Sequence, residues 1–463
     1  MKVLKPIFYS AVAGLVLTSC GSVKNYSKIP VPAGTNNVVV MSVKKAALTD
    51  SEKDNWQHLD LATDSIPGMS VDKAYTFLQG KTGVEVVVGV VDSGTDLKHE
   101  DLVDVAWVNK DEIAGNGKDD DNNGYVDDIN GWNFLGDTYK EHLEYERILM
   151  NPSIADAATL TEVKAFQEEK VKEAQGNKTL YGGMLERVST ADAALKNHFN
   201  KDEYTQEEVD AIKTEDEALK AAVGTAGFAK RNGYSLPGIQ KVLEGLVKKA
   251  DATIAGENLK TDYRTPVGDN AYDIKDKPGY GNGNSGHSEK GEAHGSHVSG
   301  IIGATRNNGK GINGVANNVK IMAVRSVSDG DEYDKDVALG IRYAVDNGAK
   351  VINTSFGKAF SPNKEWVYDA IKYAASKDVL IVNAAGNDGK NIDVEKTFPN
   401  DAPDLLTEVS DNFLTVGAMS ANYDKNLPAG FSNYGKINVD VFAPGVQVHS
   451  TTCLLYTSPS PRD

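Results

Sequence analysis

The chain has 463 residues, of which 40% are hydrophobic and 25% are charged, a composition typical of a globular protein. This length allows one large domain with an accessory domain. The net charge of -17 argues against a nucleic-acid partner, because phosphate contacts need an excess of lysine and arginine. The acidic excess suits solubility or the binding of cations instead.

The N-terminal segment predicts export. Two early lysines precede the apolar stretch 7–17, which is too short to anchor stably across a bilayer. It ends in Leu17-Thr18-Ser19-Cys20-Gly21, so residues 1–20 resemble a bacterial lipoprotein signal. An ordinary secretory signal with an incidental cysteine is the alternative. The resemblance implies a lipid anchor on Cys20 in the bacterial cell envelope, with the outer membrane as the favoured location.

A run of valines at Val86–Asp92 is typical of a buried parallel strand. It ends in Asp92-Ser93-Gly94. This pattern places the Asp92 carboxylate at the C-terminal end of the strand, where open α/β sheets carry their sites.

An acidic loop follows. Counted from Asp119, side-chain oxygens occur at positions one, three and five, a glycine at six, a backbone carbonyl at seven and an aspartate at nine. Position twelve is Asn130 instead of glutamate, and no flanking helices are indicated, so the pattern predicts an isolated calcium loop rather than an EF-hand. A solvated acidic turn is the alternative. The predicted ligands are Asp119, Asp121, Asn123, Tyr125 and Asp127.

Residues 138–260 are rich in Ala, Glu, Lys and Leu with helical periodicity. Thr159–Glu162 and Thr205–Glu208 fit capping boxes that open amphipathic helices. We interpret this block as a helical insertion. It could shape access to a site, bind a protein partner or act as a spacer.

Beyond the insertion, His294-Gly295-Ser296-His297 opens a small-residue apolar segment, which predicts a closely packed helix with the first imidazole at its N-terminus. Strands and helices then alternate, which implies a doubly wound α/β fold: a mostly parallel sheet with helices on both faces. The predicted strands are 319–325, 351–355, 379–384, 413–418 and 439–442, and the predicted helices are 337–347 and 366–376.

Asn387 follows the predicted strand 379–384 in an Ala-Gly-Asn sequence, which places a side-chain amide at the same sheet edge. An ordinary turn asparagine is the alternative. Carboxylate, imidazole and amide are three of the four parts of a serine-hydrolase site.

Together these motifs resemble the subtilisin-like serine proteases, the subtilase family, in which acid, base and oxyanion asparagine occur in this chain order. One departure is Gly295-Ser296 for the usual Gly-Thr, which keeps the hydroxyl. The resemblance implies an exported serine endopeptidase that acts on polypeptides. Asp92 would orient the imidazole, His294 would be general base and acid, and Asn387 would stabilise the oxyanion. Ser355-Phe356-Gly357 would pair with an extended peptide as an added strand.

The family's nucleophile motif, Gly-Thr-Ser-Met-Ala, does not occur in the sequence. The last eleven residues, CLLYTSPSPRD, show no strand or helix pattern and resemble a translated sequencing adapter. We therefore expect a truncated gene model whose coding sequence stops near Thr452, and an inactive chain as it stands. An inactive subtilase-fold protein that binds extended peptides is the alternative.

The predicted organisation is a signal peptide (1–20), a tether and N-terminal segment (21–80), an incomplete catalytic domain (81–137 and 261–452), the helical insertion (138–260) and an adapter-derived tail (453–463).

Overall fold

A parallel β-sheet of seven strands organises the part of the chain that the computed structural model describes, which is residue 44 and residues 46–277, 279–286, 292–452 and 455–458. The strands are Val86–Asp92 (β1), Gly131–Asn133 (β2), Val319–Arg325 (β3), Val351–Thr354 (β4), Leu380–Ala384 (β5), Phe413–Met419 (β6) and Val441–Pro444 (β7). They lie in the order β2-β3-β1-β4-β5-β6-β7, and every neighbouring pair is parallel. The chain first extends the sheet on one side of β1 and then continues on the other, so the carboxyl ends of β1 and β4 flank the point where open α/β sheets bind ligands.

Helices cover both faces of the sheet, which confirms the predicted fold class. One face packs against Val298 and Ile302, and the other against Ile341 and Ile371. The helices are Asp50–Asn55 (α1), Leu61–Asp64 (α2), Val71–Phe77 (α3), Glu144–Met150 (α4), Ala157–Phe199 (α5), Gln206–Asp210 (α6), Glu217–Arg231 (α7), Leu236–Ala255 (α8), His294–Gly303 (α9), Asp334–Asp346 (α10) and Lys364–Ser376 (α11). None of these described helices is both long and apolar enough to cross a membrane.

Helices α4 to α8 lie within the predicted insertion. The longest, α5, has 43 residues and packs with α7 and α8 around a separate apolar core that includes Leu195, Leu236 and Leu243. Because this core is distinct from that of the sheet, the insertion stabilises itself largely through its own packing.

One predicted helix start in the insertion is confirmed and the other is wrong. At Thr205 the capping box with Glu208 is present. Helix α5, however, begins at Ala157, and Asp156 caps it by accepting from the Thr159 amide. Aspartate is as good an N-cap as threonine and alanine is the best helix former, so the N-cap lies three residues before the predicted one.

The N-terminal signal, Cys20 and residues 21–35 of the tether lie outside the described residues. The described part of the N-terminal segment packs Trp56 and Ile66 against Val448, and both side chains are buried.

The prediction that the C-terminal tail lacks a strand is wrong for Leu455–Ser458 (β9). This segment pairs antiparallel with Ser450–Thr452 (β8). Its tyrosine and threonine have high β-propensity, and a neighbouring strand is available to pair with the segment.

Candidate active site

Asp92 is the last residue of β1, and its side chain is buried at the carboxyl edge of the sheet. Its Oδ1 atom accepts a hydrogen bond of 2.7 Å from the Ser93 amide. The valines before it are buried between the helix layers, which fixes where the strand delivers this carboxylate.

His294 is the first residue of α9. Its Nδ1 atom lies 2.7 Å from Asp92 Oδ1, although the two residues are 202 positions apart. The contact predicted from the sequence is therefore present. A carboxylate acceptor keeps the hydrogen on Nδ1, so the other ring nitrogen, Nε2, is the one suited to exchange a proton with a substrate group.

Helix α9 lies unusually close to the loop that follows Asp92. A Cβ atom on Gly295 would lie 2.3 Å from the Gly94 carbonyl oxygen and 3.2 Å from Asp92 Oδ1. The Ser296 hydroxyl accepts from the Asp96 amide at 2.8 Å. The hydroxyl at position 296 thus fastens the helix to the loop, which gives a structural reason for the hydroxyl that serine shares with the usual threonine.

Further along α9, two glycines allow the close packing predicted for this small-residue segment. A Cβ on Gly300 would lie 2.3 Å from Thr451 Oγ1, and one on Gly303 would lie 2.6 Å from Val319 Cγ2. His297 is buried, and its Nε2 is 3.1 Å from the Val448 carbonyl oxygen, a contact that suits a structural role.

A groove of about 280 Å³ runs beside His294 along the carboxyl ends of β4, β5 and β6. Its lining is largely apolar and small, and two of the predicted site residues, Ser355 and Asn387, also contribute to it. The structure therefore brings the imidazole, the predicted peptide-binding segment and the predicted oxyanion donor to one cleft.

Asn387 lies on an exposed turn after β5, and Asn433 holds that turn in place. Asn433 is fully buried; its Oδ1 accepts from the amides of Asp388 at 3.0 Å and Lys390 at 2.9 Å, and its Nδ2 donates to the Ala385 carbonyl. Asn433 was not among the site residues predicted from the sequence.

The segment Ser355-Phe356-Gly357 continues from β4. Ser355 is half-buried, Phe356 is buried and Gly357 is exposed. The next residue, Lys358, exchanges two backbone hydrogen bonds of 2.8 and 2.9 Å with Phe398.

The side chain of Lys358 ends in a buried cluster of ion pairs. Its Nζ lies 2.7 Å from Glu144 Oε2 of the insertion and 2.7 Å from Asp334 Oδ1. Burial alone would lower the pKa of Lys358, but these carboxylates outweigh it and hold the pKa above its ordinary value.

In the acidic loop, the structure brings together only part of the predicted ligand set. Carboxylate oxygens of Asp119, Asp121 and Glu112 lie within 4.8 Å of one another. Glu112 was missed, although the acidic pair Asp111-Glu112 lies just upstream of the predicted loop. Carboxylate oxygens are the ligands that calcium prefers, so this trio fits a calcium ion.

Asp127, a predicted ligand, is not in this trio. Its carboxylate accepts from the backbone amides of Gly115 at 2.7 Å, Asn116 at 3.1 Å and Gly117 at 2.9 Å. The Asp127 carboxylate is thus hydrogen-bonded to three backbone amides of an upstream turn. Of the other predicted ligands, Tyr125 has its ring partly buried against Trp132. The backbone amide of Asn123 donates to the carboxylates of both Asp119 and Asp121.

Comparison with known proteins agrees with this geometry. A sequence profile of the subtilase family matches residues 83–463, so the chain belongs to the subtilase family and the resemblance is confirmed. It is 40% identical over 159 residues to the thermophilic serine proteinase of Bacillus sp. (strain AK1), covering 34% of this chain and 35% of that protein. It is 38% identical over 164 residues to thermitase of Thermoactinomyces vulgaris, covering 35% of this chain and 53% of the relative.

Among solved structures, the chain is similar to a cold-adapted subtilisin-like serine proteinase, with 30% identity and a TM-score of 0.29, over 36% of this chain and 55% of the other. The chain thus spans about a third to a half of the length of the two curated relatives.

Proposed function

We propose that this chain is part of a serine endopeptidase in which Asp92 and His294 form the acid–base pair. The observation that carries the proposal is the 2.7 Å contact between these side chains, at the mouth of a groove in a chain of the subtilase family. A buried carboxylate holds the imidazole in the productive tautomer and stabilises the imidazolium that forms during the reaction.

In the proposed reaction, a serine hydroxyl attacks the carbonyl carbon of the scissile peptide bond while His294 Nε2 takes its proton. The tetrahedral intermediate collapses, the C–N bond breaks, and His294 returns the proton to the departing amine. Water then hydrolyses the acyl-enzyme ester by the same proton route. Asn387 would donate its side-chain amide to the oxyanion, a contribution typically worth about 100- to 1000-fold in rate.

The nucleophile of this proposal is a serine outside the printed sequence, in the Gly-Thr-Ser-Met-Ala motif of the family. The second candidate is the alternative given from the sequence, an inactive protein that binds peptides in the same groove. In either case the segment Ser355-Phe356-Gly357 would pair with an extended peptide backbone.

A structural calcium ion is part of the proposal. Glu112, Asp119 and Asp121 would hold it, because three carboxylates this close repel one another without a cation. The ion would lie in the loop between β1 and β2 and act on stability rather than on the chemical step.

The location and partners are also proposed. A lipid on Cys20 would anchor the exported protein in the bacterial cell envelope. The insertion, which has its own apolar core, would be the part available to a protein partner.

One experiment separates the two candidates. The chain is expressed with the coding sequence that naturally follows Thr452, treated with a fluorophosphonate and digested for mass spectrometry, and assayed on casein. The protease proposal expects one labelled serine and casein cleavage that His294→Ala abolishes. Binding of a peptide without labelling or cleavage would support the inactive binder instead.

A further inference from the structure

A single buried arginine joins the segments that carry Asp92 and His294. Arg325 is the last residue of β3 and has no exposed surface. A guanidinium cannot be deprotonated in a protein, so each of its N–H groups needs an acceptor at this depth. Among the described residues, its acceptors come from three separate parts of the chain.

The first acceptor lies beside the carboxylate. Arg325 Nε donates to the Ser93 carbonyl oxygen at 3.2 Å, and Ser93 directly follows Asp92. The Ser93 hydroxyl in turn accepts from the Gly295 amide at 3.2 Å, one residue after the imidazole. The guanidinium therefore fixes the turn after Asp92, and the Ser93 hydroxyl links that turn to the start of the helix that carries His294.

The second acceptor lies beside the imidazole. Arg325 Nη2 forms an ion pair with Glu292 Oε1, and both side chains are almost completely buried. Glu292 lies two residues before His294, on the approach to α9. The Ser93 hydroxyl also donates to the Glu292 carbonyl oxygen at 3.3 Å. The charge of Arg325 thus anchors the start of the helix that carries His294.

The remaining acceptors lie where the chain leaves the sheet for the insertion. Arg325 Nη1 donates to Asn133 Oδ1 at 3.0 Å, and Nη2 donates to the Thr138 carbonyl oxygen at 2.8 Å. Asn133 exchanges two backbone hydrogen bonds of 3.0 Å with Asn282, which lies on the returning chain. The two ends of the insertion therefore meet against the same arginine.

We propose that Arg325 and Glu292 are positioning residues that hold Asp92 and His294 at hydrogen-bonding distance across the long insertion. The inference rests on the proposed function, because it assigns these residues to the acid–base pair of that reaction. Neither residue touches a substrate. Each acts through the backbone beside a site residue, and a shift of about 1 Å in such geometry can cost about 100-fold in rate.

The test follows the Nδ1 proton of His294, whose NMR resonance moves far downfield when it is hydrogen-bonded to a carboxylate. The 463-residue chain is labelled with ¹⁵N-histidine, and the resonance is assigned by its loss in His294→Ala. The variants are Arg325→Gln, Arg325→Lys and Glu292→Gln. The matched control is Arg264→Gln, because Arg264 is also buried and paired with two carboxylates, those of Asp269 and Asp336, away from the site.

The proposal expects the downfield resonance to vanish or move upfield in Arg325→Gln and Glu292→Gln. It should persist in Arg264→Gln even if that variant is equally destabilised. Arg325→Lys should restore it in part, since a lysine can reach Glu292 but lacks the fork that also reaches Ser93 and Asn133. An unchanged resonance in folded Glu292→Gln would overturn the inference, and so would an unchanged resonance in folded Arg325→Gln. If Arg325→Gln does not fold, the other two variants decide.

A second arm separates this inference from the proposed function. In the protein continued past Thr452, Glu292→Gln should lower kcat by about 10- to 100-fold with KM nearly unchanged. If that protein cleaves nothing, the proposed function fails, while the NMR arm still reports whether Arg325 and Glu292 set the contact between Asp92 and His294.

Discussion

The ammonium group of Lys358 lies 2.7 Å from the Glu144 carboxylate, so the helical insertion shares a buried ion pair with the residue that directly follows Ser355-Phe356-Gly357. Arg147, which lies on helix α4 together with Glu144, forms an ion pair of 2.6 Å with it. The insertion is therefore fastened to the catalytic fold close to the segment expected to bind a peptide.

Removal of the Lys358 charge should destabilise the protein strongly. In Lys358→Met, the carboxylates of Glu144 and Asp334 lose a buried cation, and breaking a buried pair from one side typically costs about 3–5 kcal/mol. Urea unfolding measures the change in the free energy of unfolding. Lys201→Met is the control, because its pair with Glu208 is exposed and should matter little. Equal stability of the two variants would contradict the assignment.

Calcium removal should lower the thermal stability of the protein. Chelation with EGTA takes away the cation expected to hold Glu112, Asp119 and Asp121 together, and the melting temperature should fall. Asp121→Ala should melt lower than wild type and no longer respond to EGTA. The exposed Asp104→Asn should respond as wild type does. An EGTA-insensitive melting temperature in the wild-type protein would rule out the proposed site.

A methyl group at position 295 should separate α9 from the loop after Asp92. In Gly295→Ala the new Cβ would lie 2.3 Å from the Gly94 carbonyl oxygen, a contact with backbone that cannot move freely. We expect lower stability and loss of the downfield His294 resonance. Gly245→Ala is the matched control: this exposed glycine of α8 has open space around it, so alanine should stabilise its helix by about 0.5–1 kcal/mol.

Stability should fall as the pH drops from about 6.5 towards 4, in part because of His58. Burial, together with the nearby Arg306 guanidinium, lowers the pKa of His58 from 6.5 to about 4. In this window the unfolded chain binds a proton that the folded protein does not, so acid favours unfolding and the stabilisation is complete only above about 6.5.

Urea unfolding at several pH values checks this prediction. His58→Gln should flatten the dependence between pH 4 and 6.5, whereas the exposed His198→Gln should leave it as in wild type. The same slope in all three proteins would show that His58 does not carry the effect.

Local sequence patterns predicted the sheet well, because buried parallel strands need dense runs of β-branched residues. The strands predicted at Val86–Asp92 and 319–325 have those bounds in the structure, and the other strands and helices predicted for the sheet domain differ from the observed ones by a few residues at their ends. The contact between Asp92 and His294 was also predictable, since the carboxyl ends of parallel strands meet at one edge.

The supporting residues were not predictable, because their roles depend on partners distant in sequence. Arg325 looks like an ordinary strand end until the acceptors from Ser93 and Glu292 surround it. Asn433 is one asparagine among many until its amide is seen to hold the turn of Asn387. Glu112 joins the acidic loop only through the fold of the intervening turn.

The most direct test of the acid–base pair is the effect of Asp92→Asn on peptide hydrolysis by the protein continued past Thr452. An asparagine keeps the size of the side chain but favours the wrong imidazole tautomer, so kcat should fall by about 10,000-fold while the fold and peptide binding persist. A folded Asp92→Asn protein that cleaves peptides at the wild-type rate would contradict the account.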